Sequence, residues 1–252
     1  WKAPAWLLGP KNNHFPLLLF SLLLSSLRAA RRKRSLGLDA RAVWMALAVG
    51  LTAVLLASGN TLFSMALALL FLCLPRRLKT WPAFRMDALL AVAAGVFVLL
   101  VVLRVQDMFR VLIVDVLGKQ LDFTGRTSVW DAALYWIRKS PWIGYGVEEL
   151  SDITRKLGFY FAVNAHNELL QMLYHGGIPL MAVFLWMLWL LVRRLKAQSA
   201  PTALCATFVF ALLLSTQFEV YSTLSLFFLL LLLAYHCDTA TALPREKAVN
   251  DG

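Results

Sequence analysis

From Ala42 to Leu74 the chain is apolar for 33 residues, broken only by Ser58-Gly59-Asn60-Thr61. Arg41 precedes this run, and Arg76, Arg77 and Lys79 follow it. As one helix it would extend about 50 Å at 1.5 Å per residue, against a bilayer hydrocarbon core of roughly 30 Å. A single span would also place its two basic ends on opposite sides of a membrane, whereas short basic loops stay on the cytoplasmic side. The expectation is therefore a helical hairpin that turns at Ser58-Gly59-Asn60 on the outer face.

The same accounting extends along the chain. Phe15 to Leu27 ends in Arg28, Arg31, Arg32, Lys33 and Arg34, and a further span covers about Asp87 to Leu103. The chain re-enters at about Gly177 to Val192 and reaches Arg193, Arg194 and Lys196. A last hairpin, Thr202 to Tyr235, turns near Thr216-Gln217-Phe218-Glu219, and the tail carries Arg245 and Lys247. The expected fold is an all-α integral membrane protein with about seven spans. The division is 1–103 for the first spans, 104–175 for a large external loop, and 176–252 for the last spans and tail. A hydrophobic fraction of 60% agrees, since soluble domains sit near 45–50%. The net charge of +11 gathers at the ends of apolar runs rather than in a nucleic-acid-reading pattern, so membrane lipids, not nucleic acid, are the expected partners. Cys73, Cys205 and Cys237 lie in or at the end of apolar segments, without zinc or redox spacing. No pair of His or carboxylates has metal-ligand spacing, and no cofactor is expected. The chain starts at Trp1, and the expectation is that it is the C-terminal part of a longer membrane protein.

The external loop is balanced in charge. Arg104, Arg110, Lys119, Arg126, Arg138, Lys139, Arg155 and Lys156 are matched by Asp107, Asp115, Asp122, Asp131, Glu148, Glu149, Asp152 and Glu168. Ser128 followed by Asp131 resembles a capping box and predicts a helix start. Val129, Ala132, Ala133, Trp136 and Ile137 then recur on one face, and Ser140-Pro141 ends the helix. Trp130, Tyr135, Trp136 and Trp142 are expected at headgroup depth. Arg126, just before a helix N-terminus, suits a phosphate or diphosphate; on composition alone, anchoring to lipid headgroups or pairing with Asp122 is the commoner use of such an arginine. Asn164 is expected to cap a second helix from about Ala165 to Tyr174, ended by Gly176-Gly177, with Pro179 opening the next span. His166 falls in its first turn, where an imidazole could take a proton from a hydroxyl or serve only as an interfacial hydrogen-bonding group. His175 looks like a C-terminal cap.

Thr124-Gly125-Arg126-Thr127, Trp130, Pro141-Trp142-Ile143-Gly144-Tyr145-Gly146, Ala165-His166-Asn167-Glu168-Leu169-Leu170-Gln171 and Gly176-Gly177-Ile178-Pro179 resemble, in that order, the bacterial O-antigen ligase and polymerase superfamily. Gly9-Pro10-Lys11-Asn12-Asn13-His14-Phe15 is similar to that family's Asn-rich lead into an earlier span. The resemblance implies a metal-independent glycosyltransferase of the bacterial inner membrane, with its catalytic loop on the periplasmic side. Its donor would be an undecaprenyl-diphosphate-linked glycan, and its acceptor a lipid, a glycan or a protein. Carried over by match, Arg126 holds the diphosphate, His166 activates the acceptor hydroxyl, and Asn167 and Glu168 support them. Asn164, Trp130, Tyr145, Arg104, Arg110 and Arg155 complete the expected substrate-binding set. One departure stands out. Members often carry Ser-Arg at the outer hairpin turn, where this chain has Ser58-Gly59-Asn60-Thr61; Arg104, Arg110 or Arg155 are the expected substitutes. The competing classes are a multi-span transporter and a non-catalytic scaffold for envelope assembly. Coupling sites in transporters place ionisable groups at mid-membrane depth, and the spans hold almost none, Glu219 lying near a turn.

Overall fold

The computed structural model describes residues 5–6, 9–33, 40–79, 81–105, 126–158, 163–196 and 199–237. They are helical apart from loops and a two-residue antiparallel ladder, Ala5–Trp6 against Gly9–Pro10. One 3-10 turn, Lys11–Asn13, leads into α1 (His14–Lys33). The expected hairpin is α2 (Ala40–Leu56) and α3 (Gly59–Cys73), with Ser58 in extended conformation accepting from the Thr61 N–H at 3.4 Å. That bond satisfies one of the N–H groups a helix start leaves open. The short α4 (Arg76–Lys79) follows, and α5 (Met86–Phe97) continues into a π turn, Val98–Val102. Beyond lie α6 (Arg126–Lys139), α7 (Leu150–Leu157), α8 (Glu168–Arg194), α9 (Ala200–Ser215) and α10 (Ser225–Tyr235).

α9 is the axis. It is buried on all sides from Thr202 to Leu213, as suits a helix that is apolar all round. A Ser199–Thr202 capping box fixes its start. α1, α3, α5 and α10 pack around it, so that Leu204, Phe208 and Leu212 share one core with Leu19, Met65, Leu89 and Phe227. α2 covers the outside, burying Ala42, Val49, Ala53 and Leu56. Its opposite face exposes Trp44, Leu47, Leu51, Val54 and Leu55. Water-facing surfaces rarely carry an apolar patch of that extent, whereas lipid-facing helices require one. α8 alone among the described residues is long and apolar enough to cross a membrane by itself; Ala40–Leu56, Gly59–Cys73, Met86–Val102, Pro201–Ser215 and Ser225–Tyr235 are shorter apolar helices.

A second, smaller core lies above α8. Val129, Trp130, Ala133 and Ile137 of α6 pack on Ile153 and Leu157 of α7 and on Leu170 and Tyr174 of α8. Three expectations change here. α6 already includes Arg126 as its first described residue, so Ser128 lies inside the first turn, and Asp131 pairs with Arg104 instead of closing a capping box. Trp130 is 0% exposed and belongs to this core, not to the headgroup layer. The helix after His166 does not end at Gly176-Gly177 but kinks there, at Gly177 (φ 59°, ψ −154°).

The kink is held by the α6–α7 connection. Tyr145 N–H donates to the Tyr174 carbonyl, Gly146 N–H to the His175 carbonyl and Ile178 N–H to the Pro141 carbonyl, each at 2.8 Å. Pro179 needs no N–H partner, so the groups freed by the break are met by the loop. The backbones approach so closely that a Cβ on Gly177 would lie 2.5 Å from the Pro141 carbonyl oxygen. The His175 ring bonds to Gln171 rather than capping a helix end, the Gln171 Nε2 lying 2.6 Å from His175 Nε2.

Candidate functional site

Asn167, not Asn164, caps α8. Its Oδ1 accepts from the Leu170 N–H at 3.1 Å, and its Nδ2 donates to the Gln217 carbonyl at 3.1 Å. Glu168 follows with its Oε2 accepting from the Tyr221 and Ser222 N–H groups at 2.6 and 3.0 Å, while its own N–H donates to the Thr216 carbonyl. The two side chains are 0% and 1% exposed. Both are therefore spent on the turn between α9 and α10, which they lock against the start of α8. Asn164 turns the chain just before, its Oδ1 accepting from the His166 N–H at 2.8 Å.

His166 thus stands two residues before the start of α8, not in its first turn, and has φ 47°. Left-handed backbone at a non-glycine residue costs free energy and concentrates at functional sites. The conformation aims the ring at the locked turn. His166 Nδ1 lies 3.4 Å from Glu219 Oε1, in ion-pair range but outside hydrogen-bond geometry, so Nδ1 makes no hydrogen bond among the described residues.

Glu219 is the hub that sequence reading set aside as a turn residue. It is buried. Asn12 Nδ2 donates a short hydrogen bond to its Oε2, and an Arg126 guanidinium nitrogen lies 3.9 Å from the same oxygen. A carboxylate taken out of water needs such partners. Arg126 is further fixed by its Nε, which donates to the Phe218 carbonyl at 3.1 Å. Asn12 passes the chain of contacts on by accepting from Ser58 Oγ at 2.6 Å. Asn60 donates to the Ser215 carbonyl and hydroxyl at 3.1 and 2.9 Å, tying the α2–α3 turn to the end of α9.

Asn12, Ser58, Asn60, Arg126 and Phe218 line a cavity of about 470 Å³ together with Lys11, Gly59 and Phe63; His166 and Glu219 are not in its lining and reach it through Arg126 and Asn12. Two cations, Arg126 and Lys11, are in its lining. Lys11 Nζ donates to the Ala57 carbonyl at 3.2 Å, at the hairpin turn where the expected arginine is missing. The residues expected to replace that arginine are engaged elsewhere. Arg104 is ion-paired with Asp131, and Arg155 pairs with Asp152 at 2.6 Å on α7. Arg110 lies outside the described residues, as do Thr124 and Gly125. Tyr145 is also away from the cavity. Its hydroxyl donates to the Trp136 carbonyl, and its ring lies 3.9 Å beneath Lys156 Nζ. Lys156 and the Tyr174 hydroxyl both bond Glu148. Burial alone would raise the Glu148 carboxyl, but these two donors outweigh it and hold Glu148 below the usual carboxylate range. Among the described residues no three His, Cys, Asp or Glu side chains converge as a metal site.

The family model for O-antigen ligase matches residues 36–185. The chain belongs to the O-antigen ligase family. Membership brings with it membrane association, ligase- or polymerase-type glycan transfer, and a lipid-linked glycan donor with an acceptor. Arg126 and His166 of this O-antigen ligase family member fall inside the matched segment; Lys11, Asn12 and Glu219 fall outside it and reach the site only through the fold. No curated protein and no solved structure matches the chain.

Proposed function

We propose that this chain transfers or polymerises a glycan from an undecaprenyl-diphosphate carrier at the periplasmic face of the bacterial inner membrane, with residues 104–175 as the catalytic loop. The observation that carries the reading is the convergence of His166, Glu219 and Arg126 beside a cavity with two cations. In the reaction the acceptor hydroxyl oxygen attacks the anomeric carbon of the donor sugar, and the bond from that carbon to the diphosphate oxygen breaks. His166, its Nδ1 facing Glu219, takes the hydroxyl proton on Nε2 as general base. Glu219 orients the ring and stabilises the imidazolium that forms, the role a buried carboxylate plays beside a catalytic histidine. Arg126 and Lys11 bind the diphosphate and the negative charge that grows on it as it leaves. Asn167 and Glu168 act as braces for the Glu219 turn.

Seven spans, with the basic loops inside and the site outside, fit this reading. Trp142, Ile143 and Val147, on the connection that clamps the α8 kink, are strongly exposed, Val147 at 93%. Seated in the outer headgroup layer, they would hold the cavity at the depth where a lipid-borne diphosphate lies.

The test is transfer in vitro with purified protein and a carrier-linked glycan. His166→Ala and Arg126→Ala should each abolish product without lowering the yield of inserted, folded protein. Normal transfer by either variant removes that residue from the mechanism. A ladder of longer carrier-linked chains marks a polymerase, and a new acceptor linkage marks a ligase.

A further inference from the structure

A second opening of about 780 Å³ runs along α1 from Leu17 to Arg28, bordered by Arg41 and Met45 of α2 and Leu226 of α10. Leu17, Phe20 and Leu24 of α1 and Met45 of α2 line its length, and Arg28 and Arg41 stand at one end. Leu24 and Met45 are exposed on the lipid-facing side. From Leu17 to Arg28 the helix rises about 17 Å, roughly half the 30 Å hydrocarbon core and so one leaflet deep. Ser25 makes no polar demand on an occupant, because its hydroxyl donates to the Leu22 carbonyl at 2.9 Å.

The charged end is unusual. Arg28 and Arg41 are both exposed, and neither pairs with a carboxylate among the described residues. Arg41 is the second residue of α2, so the positive end of that helix adds to the two guanidinium groups. Between Arg28 and Arg41 the chain also carries Arg31, Arg32, Lys33 and Arg34 against a single Asp39. An apolar trough one leaflet deep that ends in two planar five-donor cations complements the shape and charge of an amphiphile with a phosphate head.

We propose that this groove is a binding site for an anionic glycerophospholipid, its acyl chain along Leu24, Phe20 and Leu17 and its head phosphate between Arg28 and Arg41. Its charged end is separate from the proposed glycan-transfer centre: Arg28 is 14 residues along α1 from His14, about 21 Å of helix, and no residue lines both cavities. It rests on the membrane-spanning reading and not on the role of His166.

The experiment is native mass spectrometry of the purified chain in detergent with equal amounts of phosphatidylglycerol and phosphatidylcholine of matched acyl length. Two juxtamembrane arginines at about 1 kcal/mol each give a preference for phosphatidylglycerol of roughly 30-fold. The double variant Arg28→Gln/Arg41→Gln should bring the ratio close to one, while Arg126→Gln leaves it unchanged. Leu24→Trp, made at an exposed position so that the core is untouched, should fill the groove and lower retention of both lipids several-fold. Equal retention of the two lipids by the wild type, or a preference that survives the double variant, overturns the proposal. A preference lost equally in Arg126→Gln assigns the lipid to the other cavity and overturns it too, whatever the transfer assay gives.

Discussion

Glu219→Gln separates catalysis from packing in this site, because the change keeps the shape of the side chain and removes only its charge. In the wild type, Glu219 Oε1 faces His166 Nδ1 at 3.4 Å and Oε2 accepts from Asn12. Against a full imidazolium at that separation, an effective dielectric of about 20 gives roughly 5 kcal/mol of attraction. The transition state carries part of that charge, so about 2–3 kcal/mol of barrier is at stake, or roughly 30- to 150-fold in kcat. Orientation adds to this. With its oxygen kept toward Asn12, the amide in the variant turns its N–H toward Nδ1, which must then accept. The ring proton moves to Nε2, the atom the hydroxyl proton needs. A carboxylate-to-amide change that forces the wrong tautomer costs about 10⁴ in a well-studied triad, so the loss here is set at about 10²–10⁴. The assay is steady-state transfer with donor varied, and the expected result is a fall in kcat with KM within about threefold, since Arg126 and Lys11 still hold the diphosphate. The His166→Ala/Glu219→Gln double variant should be no slower than His166→Ala alone, as residues that act as a unit are non-additive. A variant that keeps a third or more of wild-type kcat refutes the dyad. A raised KM at unchanged kcat refutes it as well, and assigns Glu219 to positioning Arg126.

Three further outcomes are expected. Lys11→Met should raise the KM for donor about tenfold or more, with Lys11→Arg restoring most of it; a Met variant with wild-type KM removes Lys11 from the diphosphate site. Gly177→Ala should destabilise the protein by about 2–4 kcal/mol, from positive-φ strain plus disruption of the 2.8 Å Ile178–Pro141 bond, read as a lower unfolding temperature in detergent. An unchanged temperature there means the kink is not clamped by the α6–α7 connection. The depressed Glu148 carboxyl makes a contribution to loop stability that is present above the ordinary carboxylate range and lost as pH falls through its lower folded value. Limited proteolysis of the loop should therefore accelerate in acid for the wild type, and Glu148→Gln should flatten that dependence. A dependence that persists in the variant assigns it to another carboxylate.

The hairpin at Ser58 was legible because length and charge alone decide it: no single helix accommodates 33 apolar residues with basic groups at both ends. Local patterning did less well where two answers were equally good nearby. Asn164 and Asn167 are both capable caps. The choice falls on Asn167 because its amide also reaches Gln217, and because Glu168 beside it bonds Tyr221 and Ser222, partners far along the chain. Trp130 misled for a related reason. Tryptophan is common at headgroup depth, but α6 lies on α7 and α8, and its inner face is where that ring is buried. Glu219 was visible as a charge near a turn, yet Asn12, Arg126 and His166 come to it from three distant segments. The stretch Gly9 to Phe15 read only as a lead into a span, and nothing in its spacing gave Lys11 or Asn12 a place beside Glu219.

The site is assembled almost wholly from helix starts, and this explains the presence of Glu219. α1 begins just after Lys11 and Asn12, α3 at Gly59, α6 with Arg126 as its first described residue, and α8 just after His166. The positive ends of α1, α3 and α8 and two cations thus bear on one small region. Such a concentration is favourable for a diphosphate and unfavourable when nothing negative is there. Glu219 supplies one negative charge from the opposite direction, at the α9–α10 turn, and sits closer to His166 than to Arg126, 3.4 against 3.9 Å. In the proposed reaction a bound diphosphate would give Arg126 a stronger partner and leave the carboxylate to the imidazole. In the proposed mechanism the same residue would strengthen the base once the donor is bound, coupling proton abstraction to the presence of a leaving group.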